Sequence, residues 1–163
     1  MPITGAFIVP HPPVILPEIG RGREKDIQAT IDAYQQAAQR IAQLKPDTIV
    51  IISPHSICYA DYFHIAPGRG ARGDMRQYGA AKVAVSVSYD TELVTAWADK
   101  AQDEGISAGI RGEETAALDH AAMIPLVFIQ AEYRDFRAVR IGLSGFSNAE
   151  HYRLGMCLAA VAE

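Results

Sequence analysis

Apolar residues recur along the chain at two spacings, which together predict alternating strands and helices. Short runs rich in β-branched residues are typical of strands, whereas apolar residues that step by three or four predict helices with one buried face. The predicted strands cover residues 4–9, 49–52, 83–88, 106–110 and 137–143. The predicted helices cover residues 24–44, 91–104 and 120–129, with a last helix after Asn148.

The first 52 residues predict a strand, a crossover helix and a second strand. The helix is strongly amphipathic and Pro46 ends it, after which the run Ile49–Ile52 indicates a parallel strand that is apolar on both faces. Such a unit is built with a right-handed crossover over a parallel sheet. We therefore predict one α/β domain over residues 1–163, with a mainly parallel or mixed central sheet and helices on both of its faces.

Two aspartates are placed to begin helices. Asp90 precedes Thr91 and Asp119 precedes His120, and a carboxylate in that position accepts hydrogen bonds from the first free amide groups of a helix. Pro125 is expected to bend the helix in which it lies.

Residues 56–81 show little periodicity and are predicted to form a long loop. It contains several aromatic residues and the glycine-rich run Gly68–Gly73, whose spacing matches neither a P-loop nor a dinucleotide fingerprint. Arg69 and Arg72 are candidates to hold a substrate carboxylate, although such arginines are more often solvated.

Composition and charge narrow the function classes. The chain has 15 basic and 19 acidic residues and no concentrated basic run, which argues against nucleic-acid binding and favours a small ligand. Its two cysteines, Cys58 and Cys157, are too few for a disulfide framework, and no apolar run is long enough to span a membrane. The N-terminus resembles no signal peptide, so we expect a cytoplasmic protein.

Histidines follow two of the predicted strands. His11 comes directly after the first run and Pro10, and His55 comes after the run at Ile49 and Pro54. Ligands of open α/β sheets bind beyond the carboxyl ends of the strands, so the two imidazoles are a candidate metal site. The alternative is that each histidine is structural and hydrogen-bonded to a loop carbonyl group. His120 also lies where an apolar element meets a loop, and His64 lies in the long loop.

The residue types leave the metal open. Two imidazoles and one carboxylate form the facial triad of non-haem Fe(II) oxygenases, and the same nitrogen atoms also bind Zn(II). The local carboxylate candidates are Glu113, Glu114 and Asp119, none at a recognised ligand spacing. For Asp119 the role of helix cap is favoured.

Five short motifs occur in order over essentially the whole chain. They are Pro10-His11-Pro12-Pro13, Ser53-Pro54-His55, Asp61-Tyr62-Phe63-His64-Ile65, Gly70-Ala71-Arg72-Gly73-Asp74 and Leu118-Asp119-His120. Together they resemble the B-type subunits of the class III extradiol ring-cleaving dioxygenase superfamily, and within it most closely the Memo-like branch of the AmmeMemoRadiSam system.

This resemblance implies a set of roles. His11 and His55 would bind ferrous iron, and His120 would line the pocket as a catalytic residue that donates a hydrogen bond to oxygen or takes a phenolic proton. Tyr62 and His64 would shape the substrate pocket. The substrates would be a catecholic aromatic compound and O₂. The resemblance leaves open whether the protein forms a homo-oligomer.

Members of this superfamily also have a later acid/base histidine and a third metal ligand, usually glutamate. The resemblance therefore implies that residues 1–163 correspond to the N-terminal part of the domain, with an incomplete site. Two alternatives stay open: a Memo-like module that binds a metal or a peptide without oxygenase chemistry, and a zinc-dependent hydrolase.

Overall fold

The computed structural model describes residues 2–162 and confirms the α/β class. Short 3₁₀ segments occupy Pro13–Ile15, Arg23–Ile27 and Arg76–Tyr78. The helices are α1 (Pro17–Gly20), α2 (Gln28–Leu44), α3 (Thr91–Asp103), α4 (His120–Glu132) and α5 (Asn148–Val161). The strands are β1 (Thr48–Ser53), β2 (Phe63–His64), β3 (Gly70–Met75), β4 (Ala80–Ser88), β5 (Ala108–Gly109) and β6 (Arg137–Gly142).

Strand β6 joins the three two-stranded ladders of the fold. It pairs in parallel with β1 along its whole length, while β2 pairs in parallel with β5 and β3 pairs antiparallel with β4. Ile65, after β2, forms a bridge to Ile141 of β6, and Tyr89, after β4, forms a bridge to Ala138. The strand pairing is therefore mixed. Strand β6 contacts β1 directly and contacts the segments that follow β2 and β4 through single bridges.

Helices cover both faces of the β1–β6 pair, as predicted. On one face, Ile51 and Ala138 belong to a buried cluster with residues of α2 and α4. On the other face, Val139 and Ile141 pack with residues of α3 and α5. The Trp97 indole of α3 donates a 3.0 Å hydrogen bond to the carbonyl group of Leu154, which ties α3 to α5. One exception to the predicted burial is Ile52 of β1, whose relative exposure is 62%.

The strand predicted at residues 4–9 is wrong. These residues form no helix or strand, and Ile8 is fully exposed. Residues 2–9 make no backbone hydrogen bond to any other residue within 2–162. A β-branched run becomes a strand only when a neighbouring edge pairs with it. Here the segment runs past the end of α2 instead, where Gly5 lies close to Leu44.

The long loop predicted at residues 56–81 is also wrong in its second half. Its glycine-rich run enters β3, which pairs with β4 through Gly70 opposite Ser88 and Gly73 opposite Val85. The absence of a side chain matters at Gly70, because a Cβ atom there would lie 2.4 Å from the Val87 carbonyl oxygen. Periodicity could not reveal this strand, since small residues carry no apolar alternation.

The two helix caps predicted at Asp90 and Asp119 are confirmed. Asp90 accepts a hydrogen bond from the amide of Leu93 at the start of α3, and Asp119 caps α4. The helix predicted from residue 24 begins with a 3₁₀ segment and becomes α-helical at Gln28. Helix α5 begins with a capping box between Ser147 and Glu150, which satisfies two otherwise free amide groups.

Candidate metal centre

Three histidines from distant parts of the chain meet at one edge of the β1–β6 pair. His11 follows the extended N-terminal segment, His55 follows β1, and His120 is the first residue of α4. One ring nitrogen atom of each lies within 4.8 Å of those of the other two. His11 and His120 are half-buried and His55 is exposed, so the group is accessible from solvent.

The spacing of these nitrogen atoms fits ligands of one ion. The Nε2 atoms of His11 and His55 are 3.1 Å apart. Two imidazoles bound about 2.1 Å from a metal at angles of roughly 90–109° have nitrogen atoms about 3.0–3.4 Å apart. The three rings also contact each other closely, with a centroid distance of 4.4 Å between His55 and His120. The donor set therefore suits a transition metal.

A tyrosine holds the segment that carries His11. The Tyr34 hydroxyl of α2 donates a hydrogen bond to the carbonyl group of Pro10. Its ring stacks on Phe128 of α4 at a centroid distance of 4.5 Å. Burial raises the pKa of the Tyr34 hydroxyl, so it stays protonated and remains a donor. This contact fixes the residue next to His11 against two helices.

Asp119 connects the segments that carry the other two histidines. Its Oδ1 atom accepts a 2.7 Å hydrogen bond from the Ser53 hydroxyl and bonds from the amides of Ala121 and Ala122. Its Oδ2 atom accepts a 3.2 Å bond from the Ser56 hydroxyl. The amide of His55 in turn donates to the Ser53 oxygen. The backbone at His55 is thereby fixed relative to the start of α4.

The charge state of Asp119 follows from these contacts. Burial by itself would raise the pKa of this carboxyl group. The hydrogen bonds from Ser53, Ala122, Ser56 and Ala121 outweigh burial and lower the pKa below its usual value. Asp119 is therefore an ionised helix cap, and its oxygen atoms already have partners. The favoured prediction of a cap is confirmed.

The surroundings of His120 favour its neutral form. Burial lowers the pKa of His120, and positive charge on His55 or His11 would lower it further, against the opposing effect of Asp119. A neutral imidazole is the form that binds a metal or accepts a proton. The ring of Tyr78 packs edge-on against that of His120, with centroids 5.7 Å apart.

The carboxylate candidates lie outside this group. Within residues 2–162, the potential ligands that meet here are imidazoles alone. Glu113 accepts a 2.7 Å bond from the amide of Thr115, Glu114 is exposed, and Asp119 serves as the cap. The third ring nitrogen atom of the group belongs to His120.

Tyr62 and His64 lie beside the loop at residues 109–113. The Tyr62 hydroxyl accepts a 3.2 Å bond from the amide of Arg111, and that of Tyr59 accepts a 3.0 Å bond from the amide of Glu113. His64 is buried, with its ring 5.8 Å from that of Tyr59. A substrate-binding role for Tyr62 and His64 stays a prediction.

Sequence reasoning missed four residues that shape the site: Tyr34, Ser53, Ser56 and Tyr78. Only Ser53 left a signal, because it is a polar residue at the end of an apolar run, and its side chain is fully buried. The others depend on contacts between residues 24 to 63 positions apart.

A known protein family matches nearly the whole chain. The family described as the catalytic LigB subunit of aromatic ring-opening dioxygenase matches residues 5–163. The chain belongs to this family. The LigB match begins six residues before His11 and includes all three histidines.

The LigB chain is also similar to a protein of Clostridium acetobutylicum known as Protein CA_C1420, a name that states no activity. The two are 31% identical over 170 residues, which cover 100% of this chain and 36% of that protein. The chain thus spans about a third of the length of this relative. Within residues 2–162, no helix is long and apolar enough to cross a membrane.

Proposed function

We propose that this LigB-family domain is a non-haem Fe(II)-dependent extradiol dioxygenase domain that opens the ring of a catecholic substrate with O₂. The convergence of His11, His55 and His120 carries this proposal, together with the ring-opening dioxygenase family to which the chain belongs. Ferrous iron, when bound, supplies the redox chemistry that allows O₂ to react with an aromatic diol.

In this proposal the chain's own residues bind the ion and move a proton. His11 and His55 are metal ligands, held by the Tyr34 and Ser53 contacts. His120 is the catalytic residue, whose neutral ring accepts a phenolic proton at a ring nitrogen or donates a hydrogen bond toward oxygen. Its position within 4.8 Å of the other ring nitrogen atoms is also consistent with a third ligand.

Tyr62 and His64 are proposed to bind the aromatic ring of the substrate. The Tyr62 hydroxyl already accepts a hydrogen bond from the amide of Arg111. The ring faces of Tyr59 and Tyr62, which pack against each other, are therefore the surfaces that suit an apolar ligand. We further propose that residues 1–163 form the N-terminal part of one dioxygenase-like domain, and that a carboxylate ligand and an acid/base histidine come from elsewhere in the complete enzyme.

Metal binding by single variants separates the roles of the histidines. His11→Ala and His55→Ala should each weaken Fe(II) binding by more than about 100-fold, since changes to residues that only support a ligand already cost 10- to 100-fold. His151→Ala is the matched control, because His151 packs against Phe63 outside the cluster. Iron affinity unchanged by either ligand variant would contradict the proposed site.

Turnover is the second measurement. The protein is loaded with Fe(II) under argon and mixed with catechols and O₂, and ring opening is followed as yellow absorbance and oxygen uptake. His120→Ala should retain one iron and lose turnover if His120 is the proton-transferring residue. Loss of the iron would instead identify His120 as a ligand. Because the proposal takes a carboxylate ligand and an acid/base histidine from outside residues 1–163, the outcome that contradicts dioxygenase activity is full iron loading of the full-length enzyme without product from any catechol.

The all-imidazole donor set supports a second candidate, a zinc-dependent hydrolase. Three histidines with an open fourth position form a common catalytic zinc site. Metal analysis of protein purified without added metal tests this candidate. One equivalent of zinc, with hydrolysis of activated esters that is lost in His55→Ala, would favour it over the iron enzyme. A Memo-like binding module remains the alternative if neither metal supports turnover.

A further inference from the structure

Strand β1 has one paired edge and one free edge. It pairs with β6 along its whole length, and within residues 2–162 no other strand and no isolated bridge involves it. The amide of Arg137 donates to the carbonyl of Asp47, so in this parallel ladder the odd-numbered residues of β1 bond to β6. The backbone groups of Thr48, Val50 and Ile52 therefore point to the other edge, where the described residues offer them no backbone partner.

The segment at residues 4–9 runs alongside this free edge in the same direction as β1. Near its start, a Cβ atom on Gly5 would lie 3.3 Å from Cδ1 of Leu44, at the end of the helix that leads into β1. Beyond its end, the Nε2 atom of His11 lies 3.1 Å from that of His55, two residues after β1. The segment thus follows β1 from beginning to end, yet the two form no ladder.

The separation of the two backbones fits one missing strand. Paired strands lie about 4.8 Å apart, and one intervening strand increases this distance to about 9.6 Å. The side chains of His11 and His55 meet at the tips of their rings, which suits the wider distance, because two imidazoles together span it. Residues 4–9 and β1 therefore form the two walls of a gap, which we call the strand slot.

Helix α2 closes one face of the strand slot and leaves the other face open. Val9 and Ile51, one from each wall, pack in the buried cluster that contains Tyr34 of α2. Successive side chains of an extended backbone point to opposite faces, so Ile8 and Ile52 point away from α2. Ile8 is fully exposed and Ile52 is 62% exposed. Two large apolar side chains thus lie uncovered on the open face.

Neither wall carries the features that normally protect a free strand edge. Soluble proteins protect such edges with charged side chains, proline residues or bulges. Residues 3–9 and 48–53 contain no charged residue and no proline, and the ladder of β1 has no register shift. Two uncharged edges that face one another suit an extended backbone, which bonds to both, and not a charged ligand.

We propose that the strand slot binds one extended, uncharged strand, parallel to β1, which the rest of the full-length enzyme supplies. Main-chain hydrogen bonds to both walls would hold this strand, and its side chains would cover Ile8 and Ile52. The parallel direction continues the β1–β6 pair and matches the direction of residues 4–9. This inference rests on the proposal that residues 1–163 are the N-terminal part of one domain. The relative from Clostridium acetobutylicum has ample chain for such a strand, since the match covers only 36% of it.

Occupation of the strand slot would also affect the three-histidine group. A parallel strand in the slot ends between His11 and His55, at the edge where open α/β sheets bind their ligands. The strand would hold the two walls at a fixed distance. The spacing of the two imidazoles would then no longer depend on residues 4–9 alone.

Hydrogen exchange tests the proposal by comparison of the 163-residue chain with the full-length enzyme. In the 163-residue chain, the amides of residues 4–9 and of the even-numbered residues of β1 should exchange quickly, while the odd-numbered residues of β1 are protected by β6. In the full-length enzyme, the first group should exchange about 100-fold more slowly or less still. Equally fast exchange in both proteins would overturn the proposal. The measurement needs neither iron nor turnover, so its failure is distinct from a failure of dioxygenase activity.

A polar substitution on the open face gives a second measurement. Ile8→Asn should lower the melting temperature of the full-length enzyme by about 5–10 °C, because the bound strand would bury this side chain, and should change that of the 163-residue chain by less than about 1 °C. Ile110→Asn is the matched control, because Ile110 is 50% exposed and lies outside the strand slot. It should change neither melting temperature. Equal effects of the two substitutions on the full-length enzyme would contradict the proposal.

The oligomeric state tests whether a second copy fills the strand slot instead. Light scattering should show the 163-residue chain as a monomer over a wide range of concentrations, with fast exchange of residues 4–9 throughout. A dimer whose formation protects residues 4–9 and the free edge of β1 would assign the slot to a second copy. That result would overturn the proposal.

Discussion

The hydroxyl group of Ser53 donates a 2.7 Å hydrogen bond to Oδ1 of Asp119, which joins the end of β1 to the start of α4. The same serine oxygen accepts from the amide of His55, and the same aspartate begins the helix whose first residue is His120. One partly buried pair thus sets the relative position of two histidines that are 65 residues apart in the sequence. Its removal should affect both stability and metal binding.

Substitution of Asp119 tests this link. Asp119→Ala removes the helix cap and leaves the Ser53 hydroxyl without its partner, so we expect the free energy of unfolding to fall by about 2–4 kcal/mol. Asp119→Asn keeps a capping oxygen and should cost about half as much. Denaturant unfolding measures both. A loss below about 0.5 kcal/mol in Asp119→Ala would show that the pair contributes little.

The hydrogen bond between Tyr34 and Pro10 should control how well His11 is held. Tyr34→Phe keeps the stacking on Phe128 but removes the donor, so we expect a loss of about 1 kcal/mol in stability and about 10-fold in metal affinity. Tyr152→Phe is the control, because that side chain is exposed. Calorimetric titration with Zn(II) gives the affinities. Equal affinities in the two variants would argue against this role for Tyr34.

A fall in pH should destabilise the metal-free protein even above the pH range in which carboxyl groups are protonated. The pKa values of His64 and His120 are both lowered in the folded state, mainly by burial. The unfolded chain then binds more protons than the folded chain just below the ordinary histidine pKa of about 6.5, so stability falls as the pH drops through that range.

Asp119 affects the stability at a lower pH than the two histidines do. Its pKa is depressed in the folded state, so its contribution is present above the unfolded value of about 3.9 and is lost as the pH falls through the lower folded value. Urea unfolding in steps between pH 8 and pH 3 should show both losses. A free energy of unfolding that does not change between pH 7 and pH 5 would contradict the lowered pKa values of His64 and His120.

Two glycines should respond to alanine in opposite directions. A Cβ atom at Gly73 of β3 would lie 2.7 Å from the sulfur of Met123 and 2.9 Å from the carbonyl oxygen of Leu118. Gly73→Ala should therefore destabilise the fold by about 1–3 kcal/mol and disturb His120, two residues after Leu118. Gly155 lies exposed in α5 with open space around it. Gly155→Ala should stabilise by about 0.5–1 kcal/mol. Thermal unfolding of both variants checks the signs.

The parts of the fold that local pattern determines were predictable. Helix α2, strand β1 and the caps at Asp90 and Asp119 depend on residues within a few positions of one another. Strand pairing at residues 4–9 and 70–75 depends on which edge is nearby, and this information is not local. His11 and His55 could be identified because each directly follows an apolar run. The residues Tyr34 and Ser56 could not be identified, since their contacts join positions 24 and 63 residues apart.

The extended segment before His11 would control how the proposed metal site assembles. His55 and His120 are held by one hydrogen-bonded network, while His11 depends on a segment whose residues 2–9 pair with no strand in the described part of the chain. The Tyr34 bond at the adjacent Pro10 raises the effective concentration of the His11 imidazole at the other two rings. In the proposed iron site, an entering ion would meet the His55 ligand already in position and recruit His11, so the lifetime of the bound ion would depend on how often this segment leaves Tyr34.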